Sequence, residues 1–170
     1  MRIRFYIFYI ILVALQIVLG NYLDLTQYVT LCFLPAMILA LPVGYGTIGV
    51  MCIAFVTGLA VDFFTHGILG LTIIALVPVA FCRRWLIAMV FGGDVLSRGE
   101  DISIDKHGLA KSLLSILIAT AIYLGIYIVA DGAGTRPSSF NALRFACSIV
   151  VSTVVSVFVS HILKSSDRWS

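Results

Sequence analysis

The sequence predicts an all-α integral membrane protein with about six transmembrane helices and both ends in the cytoplasm. Hydrophobic residues make up 61% of its 170 residues and charged residues only 11%, whereas a soluble domain has roughly 25% charged residues. Because one span needs about 20 apolar residues, the chain has room for six short helices and one modest loop. We therefore expect a single transmembrane domain over residues 1–170, without a separate soluble domain.

Apolar runs separated by polar residues place these helices along the chain. We expect them near residues 4–20, 25–41, 46–64, 68–91, 109–130 and 142–163. The first run follows a basic start, but no A-x-A-like cleavage site comes after it, so we interpret it as a retained helix and not as a signal peptide. The polar residues 92–108 are expected to form a cytoplasmic loop, and residues 164–170 a cytoplasmic tail.

The basic residues predict the orientation of the helices. If the N-terminus is cytoplasmic, nine of the eleven Lys and Arg residues lie on or near the cytoplasmic face, and only Arg136 and Arg144 lie outside. Such a bias follows the positive-inside rule. The net charge is +3, but the basic residues are spread among the ends of the segments, so we interpret them as topology signals and not as a binding surface for an anionic partner. We therefore expect membrane lipid but no nucleic acid as a partner.

Arg83 and Arg84 interrupt the fourth apolar run. We favour a membrane helix over residues 68–82 whose continuation bends along the cytoplasmic surface or projects from it. The alternative is an arginine pair buried against another subunit. Together with Arg98 in the predicted loop, these arginines are the candidates for contact with a partner protein.

Asp62 and His66 are the main candidates for chemistry, because on a continuing helix they would share one face. Ionisable groups in membrane segments are functional candidates, since removing them from water is costly. However, Asp62 lies about 24 Å along the third helix, near the outer interface, where it can reach water or cap the next helix. We therefore favour a structural role for Asp62 over catalysis. A single histidine also does not indicate a metal site.

Small residues surround this pair. Gly58, Gly67 and Gly70 are expected to permit a sharp reversal and close packing of the third and fourth helices. The four cysteines form no CxxC pair and are interpreted as buried thiols. We find no phosphate-binding loop, no Gly-x-Ser-x-Gly elbow and no pair of aspartates typical of membrane proteases. The sequence thus predicts no enzyme activity and no cofactor.

The segment Gly58-Leu-Ala-Val-Asp62-Phe-Phe-Thr-His-Gly67-Ile-Leu-Gly70-Leu71 resembles the signature of the rod-shape-determining MreD family. In that signature, G-L-x-x-D is followed by a short polar turn and by G-x-x-G-(L/M). The wider plan is similar too, with an early Gln16, Asn21 after the first helix, Pro35 in the second helix and a longer cytoplasmic loop after the fourth. Where the family usually has His or Asn after the last motif residue, this chain has Thr72.

The resemblance implies a non-enzymatic scaffold of the cell-wall elongation machinery in the bacterial inner membrane. Its partner would be the bitopic protein MreC, which would connect it to the MreB filament, the RodA glycosyltransferase and a penicillin-binding transpeptidase. The resemblance also implies a fold similar to that of the substrate-binding subunit of energy-coupling-factor transporters. A vitamin-transporter subunit of that type is therefore the first alternative function.

A second alternative is a small membrane hydrolase with Asp62 as general base, which would need a second titratable group beside it. Large polar side chains are scarce in the predicted spans, where Gln16, Asn21, Asp62 and His161 nearly complete the set. This scarcity favours a scaffold over both alternatives.

Overall fold

The computed structural model describes residues 2–22, 30–42, 44–65, 68–92, 109–132 and 138–168, which form six helices and, within these ranges, no strand. The helices are α1 (Arg2–Tyr22), α2 (Leu34–Ala40), α3 (Thr47–Phe64), α4 (Leu71–Phe91), α5 (Leu109–Gly132) and α6 (Ser138–Arg168). All except α2 are long and apolar enough to cross a membrane. The described residues thus confirm the predicted all-helical fold, and five helices that could span a membrane agree with a multi-pass membrane protein, where about six spans were predicted.

The five long helices form a ring around α2. In this ring α1 packs against α3, α3 against α4, α4 against α5, α5 against α6, and α6 against α1. The short helix α2 contacts α1, α4, α5 and α6, and every residue from Cys32 to Leu39 is buried. The centre of the ring is thus filled by the chain's own α2.

Side-chain contacts show the direction in which each helix runs. Asn21 donates a hydrogen bond of 2.9 Å to the carbonyl of the last residue of α3, Asp62 of α3 binds the start of α4, and Asp131 of α5 pairs with Arg144 of α6. Gln16, late in α1, and Ser148, early in α6, both bond residues 30–33, so the end of α1 lies near the start of α6. Consequently α1, α3 and α5 run in one direction, and α4 and α6 run in the other. We call the end of the bundle at which α1, α3 and α5 finish the Asp62 end, and the opposite end the Arg83 end.

The second predicted span differs from the structure. Of the described residues from 30 to 41, only Leu34–Ala40 is helical, and residues 23–29 lie outside the described residues. Pro35 stands in the first turn of α2, where proline starts a helix well but prevents its extension toward the N-terminus. Leu41 has an extended conformation, as expected for a residue before a proline. Pro35 and Pro42 therefore limit α2 to about two turns.

The fourth span is continuous where the sequence predicted a bend. Helix α4 runs through Arg83 and Arg84 as far as Phe91, with Pro78 inside it. The predicted end of the membrane helix at residue 82 is therefore wrong, because the helix continues through the arginines. Arg83 finds hydrogen-bond acceptors within the chain, so its side chain does not have to reach the surface. Arg84, the neighbouring residue, is exposed.

Candidate functional site

Asp62 lies in the last turn of α3, and its carboxylate caps the start of α4. The side chain is buried, with only 5% of its surface exposed. The carboxylate accepts a hydrogen bond of 2.9 Å from the Gly70 amide and bonds of 3.1 and 3.2 Å from the Thr72 amide. The first amides of a helix have no acceptor within the helix, and a negative charge there also interacts favourably with the helix dipole. Asp62 thus holds the reversal between α3 and α4.

Two glycines allow this reversal to be tight. Gly70 has a φ of +97°, which lies in the left-handed region that glycine adopts without strain. At Gly58, an added Cβ would lie 3.1 Å from the Ile73 Cα, so a larger residue would push α3 and α4 apart. His66 and Gly67, the other predicted members of this corner, lie outside the described residues.

Residues 30–33 precede α2 and are not helical, although they lie among the helices. Their backbone groups are bonded instead by side chains of the surrounding helices. On one side, the Gln16 amide of α1 donates a hydrogen bond of 3.0 Å to the Leu31 carbonyl and accepts one of 3.3 Å from the Phe33 amide. Inside a bilayer, non-helical backbone is tolerated only where the protein satisfies its polar groups. Gln16 fulfils that requirement.

On the other side, two serines of α6 bond the same segment. Ser148 accepts a hydrogen bond of 2.9 Å from the Thr30 amide. Ser152 accepts one of 3.1 Å from the Cys32 amide and donates one of 3.2 Å to the Thr30 carbonyl. Because residues four apart lie on the same face of a helix, α6 presents both hydroxyls to residues 30–33 at once.

Arg83 bonds the opposite end of α2. Only 2% of its surface is exposed, and its Nη2 donates hydrogen bonds to the carbonyls of Leu39, at 3.4 Å, and Leu41. The last carbonyls of a helix lack partners within it and carry partial negative charge, so a guanidinium there stabilises the helix end. This position corrects the prediction that Arg83 contacts a partner protein. Arg84 stays a candidate, and Arg98 lies outside the described residues.

A half-buried ion pair joins α5 and α6 at the Asp62 end. Arg144 Nη1 lies 2.5 Å from Asp131 Oδ2, and the two side chains are 13% and 22% exposed. The Arg144 Nε also donates a hydrogen bond of 3.1 Å to the Thr30 hydroxyl. On the adjacent turns of α5, the rings of Tyr123 and Tyr127 stack with their centroids 5.7 Å apart. These groups form a small polar cluster beside residues 30–33.

The arrangement can satisfy backbone polar groups at three irregular places in the bundle. Gln16 bonds residues 30–33, Asp62 bonds the start of α4, and Arg83 bonds the end of α2. Within the described residues, no group of three or more His, Cys, Asp or Glu could hold a metal ion.

Sequence reasoning missed the bonds to α2. It singled out Arg83 as a charge that interrupts an apolar run and as a candidate for partner contact, and Gln16 as a rare polar residue and a feature of the MreD-like plan. Two signals could have revealed the arrangement. Pro35 and Pro42 bracket a segment too short to span a membrane, and α6 carries a polar residue at every fourth position. That series is Arg144, Ser148, Ser152, Ser156 and Ser160.

Comparisons of the chain with protein-family models, with curated proteins and with solved structures found no match. The cap at Asp62 and the bonds to α2 are therefore the observations from which a function can be proposed.

Proposed function

We propose that the chain is an MreD-like, non-enzymatic scaffold of the peptidoglycan elongation complex in the bacterial inner membrane. It would bind an MreC-like bitopic protein and, through it, reach MreB, RodA and a penicillin-binding transpeptidase. The observation that carries the proposal is the bonding of Asp62. The acidic residue of the MreD-like segment accepts hydrogen bonds from two backbone amides at the start of the adjoining helix. It therefore stabilises the helix reversal instead of acting on a substrate.

The same bonding argues against the hydrolase alternative. A general base must lie within hydrogen-bond reach of the proton that it takes from a substrate or water. Both carboxylate oxygens of Asp62 instead accept hydrogen bonds from amides, and the side chain is buried. A rigid corner between α3 and α4 is the role that this geometry supports.

The directions of the helices support the proposed orientation, with both ends in the cytoplasm. The start of α1, the second half of α4, the start of α5 and the end of α6 all lie at the Arg83 end. The basic residues in these stretches are Arg2, Arg4, Arg83, Arg84, Lys111, Lys164 and Arg168. Arg144 belongs to the Asp62 end. Since basic residues concentrate on the cytoplasmic side, these positions support an orientation with the Arg83 end in the cytoplasm.

The decisive experiment is affinity capture of the native protein from detergent-solubilised membranes, with identification of the co-purifying proteins by mass spectrometry. Recovery of an MreC-like protein, RodA or a penicillin-binding transpeptidase would support the scaffold. The Asp62→Ala variant should recover less of them and should alter cell shape, because the corner loses its cap. Asp62→Asn is the control at the same position, since it keeps one acceptor oxygen for the amides and should recover more of these proteins than Asp62→Ala.

One observation favours the transporter alternative. The Asp131/Arg144 pair is partly exposed and adjoins tyrosines of α5, and convergent polar groups at the outer face are what a substrate-binding subunit would present. In that case the capture would recover ATP-binding-cassette subunits and the purified protein would bind a vitamin. That result would refute the scaffold.

A further inference from the structure

Six buried hydroxyls lie in the half of α5 and α6 near the Arg83 end. They belong to Ser112, Ser115 and Thr120 of α5 and to Thr153, Ser156 and Ser160 of α6. Ser115 and Ser160 each donate a hydrogen bond of 2.9 Å to the carbonyl three residues earlier in their own helix. The other four hydroxyl oxygens are buried and have no hydrogen-bond partner in the described part of the chain.

The antiparallel packing of α5 and α6 brings the middle members of this set to one level. The Asp131/Arg144 ion pair fixes the relative position of the two helices. On α5, Thr120 lies about 16 Å from Asp131 along the helix axis. On α6, the distances from Arg144 are about 14 Å to Thr153 and about 18 Å to Ser156. Three unpartnered hydroxyls therefore fall within about one helical turn of each other along the bundle axis.

A hydroxyl that is removed from water and left without a partner is costly. Folded proteins avoid this cost by bonding such groups to the protein or to internal water, and an internal water typically makes two to four hydrogen bonds. We propose that the hydroxyls of Thr120, Thr153 and Ser156 bind a small cluster of water molecules inside the bundle. This inference does not depend on the scaffold function.

Water suits this site better than an ion does. The buried polar side chains that the structure describes in this half of α5 and α6 carry hydroxyls and no charge, and Lys111 is exposed. The contrast with the Asp62 end is informative. There, Ser148 and Ser152 of the same face of α6 bond the backbone of residues 30–33, so they have no need of water.

The test is solid-state NMR of the full-length protein in lipid bilayers, with magnetisation transferred from water to the protein. Thr120 and Ser156 should receive magnetisation rapidly. Ser152, whose hydroxyl bonds the backbone, and the fully buried Ala54 of α3 should receive it slowly. Transfer to Thr120 and Ser156 as slow as that to Ala54 would overturn the proposal, because the hydroxyls would then be dry.

Two variants provide a second, independent readout. Thr120→Val removes a hydroxyl at nearly constant volume and should reduce the transfer to Ser156, because the waters are shared. It should also lower the melting temperature by about 2 to 4 °C. Ser160→Ala is the control, since that hydroxyl is already bonded within α6, and it should leave the transfer to Ser156 unchanged. A higher melting temperature for Thr120→Val would contradict the proposal, because removing an unsatisfied hydroxyl relieves its burial cost.

Discussion

Replacing Arg83 by methionine tests whether the end of α2 is held by hydrogen bonds. The substitution keeps an unbranched, apolar side chain but removes the donors to the carbonyls of Leu39 and Leu41. Each buried acceptor left without a partner costs about 1 to 3 kcal/mol. Part of this loss is offset because the buried guanidinium itself was costly to remove from water. We expect a net loss of about 3 kcal/mol in the free energy of unfolding.

The assay is thermal unfolding in detergent micelles, followed by circular dichroism at a wavelength sensitive to helix. For a chain of this size, 1 kcal/mol corresponds to about 2 to 4 °C, so Arg83→Met should lower the melting temperature by about 6 to 12 °C. Arg84→Met is the matched control. It removes the neighbouring, exposed arginine of the same helix and should change stability by at most about 0.5 kcal/mol. Arg83→Lys should fall between them, because one ammonium cannot reproduce the geometry of a guanidinium.

Equal melting temperatures for Arg83→Met and Arg84→Met would refute this reasoning. The contacts between Arg83 and the two carbonyls would then contribute nothing, and packing alone would hold the end of α2 in place.

Three further predictions use the same unfolding assay. Asp62→Ala leaves two amides at the start of α4 without an acceptor and should lower the free energy of unfolding by about 2 kcal/mol. Asp62→Asn keeps one acceptor oxygen and should lower it less. Equal losses would refute the cap. Gly58→Leu should destabilise the protein far more than Gly49→Leu, because an added Cβ meets the α4 backbone at Gly58 and open space at Gly49; the reverse order would exclude close packing as the reason for Gly58. Gln16→Leu should lower the free energy of unfolding by about 2 kcal/mol and speed hydrogen exchange of the Phe33 amide. An unchanged exchange rate would show that the bond from this amide to Gln16 is unimportant.

The sequence predicted the long helices well because length and apolar composition decide whether a segment can span a membrane. It predicted α3 at residues 46–64, and the structure has Thr47–Phe64. Hydropathy could not predict where α2 begins and ends, because the second half of the predicted span 25–41 is as apolar as a membrane helix requires. The end of that helix depends on Pro35 and Pro42, which act through backbone geometry and a missing donor.

The site was predictable only where the relevant contacts are close in the sequence. Asp62 and Gly70 lie within one helical reversal, so a capping role for Asp62 could be suggested from spacing. Arg83 bonds residues more than forty positions away, and Ser152 bonds a residue 120 positions away. Such contacts depend on the order of the helices around the ring, which apolar patterning does not contain.

The positions of the polar residues also bear on the choice between a scaffold and an enzyme. An ionisable group within a membrane domain is a functional candidate because its burial is costly. In this bundle, hydrogen bonds offset the free-energy cost of burying Asp62 and Arg83. Each side chain bonds the end of a helix whose backbone groups would otherwise be unsatisfied. Substituting either residue should therefore impair folding before it impairs any reaction. Loss of complex assembly in proportion to loss of stability is the pattern that a scaffold would show.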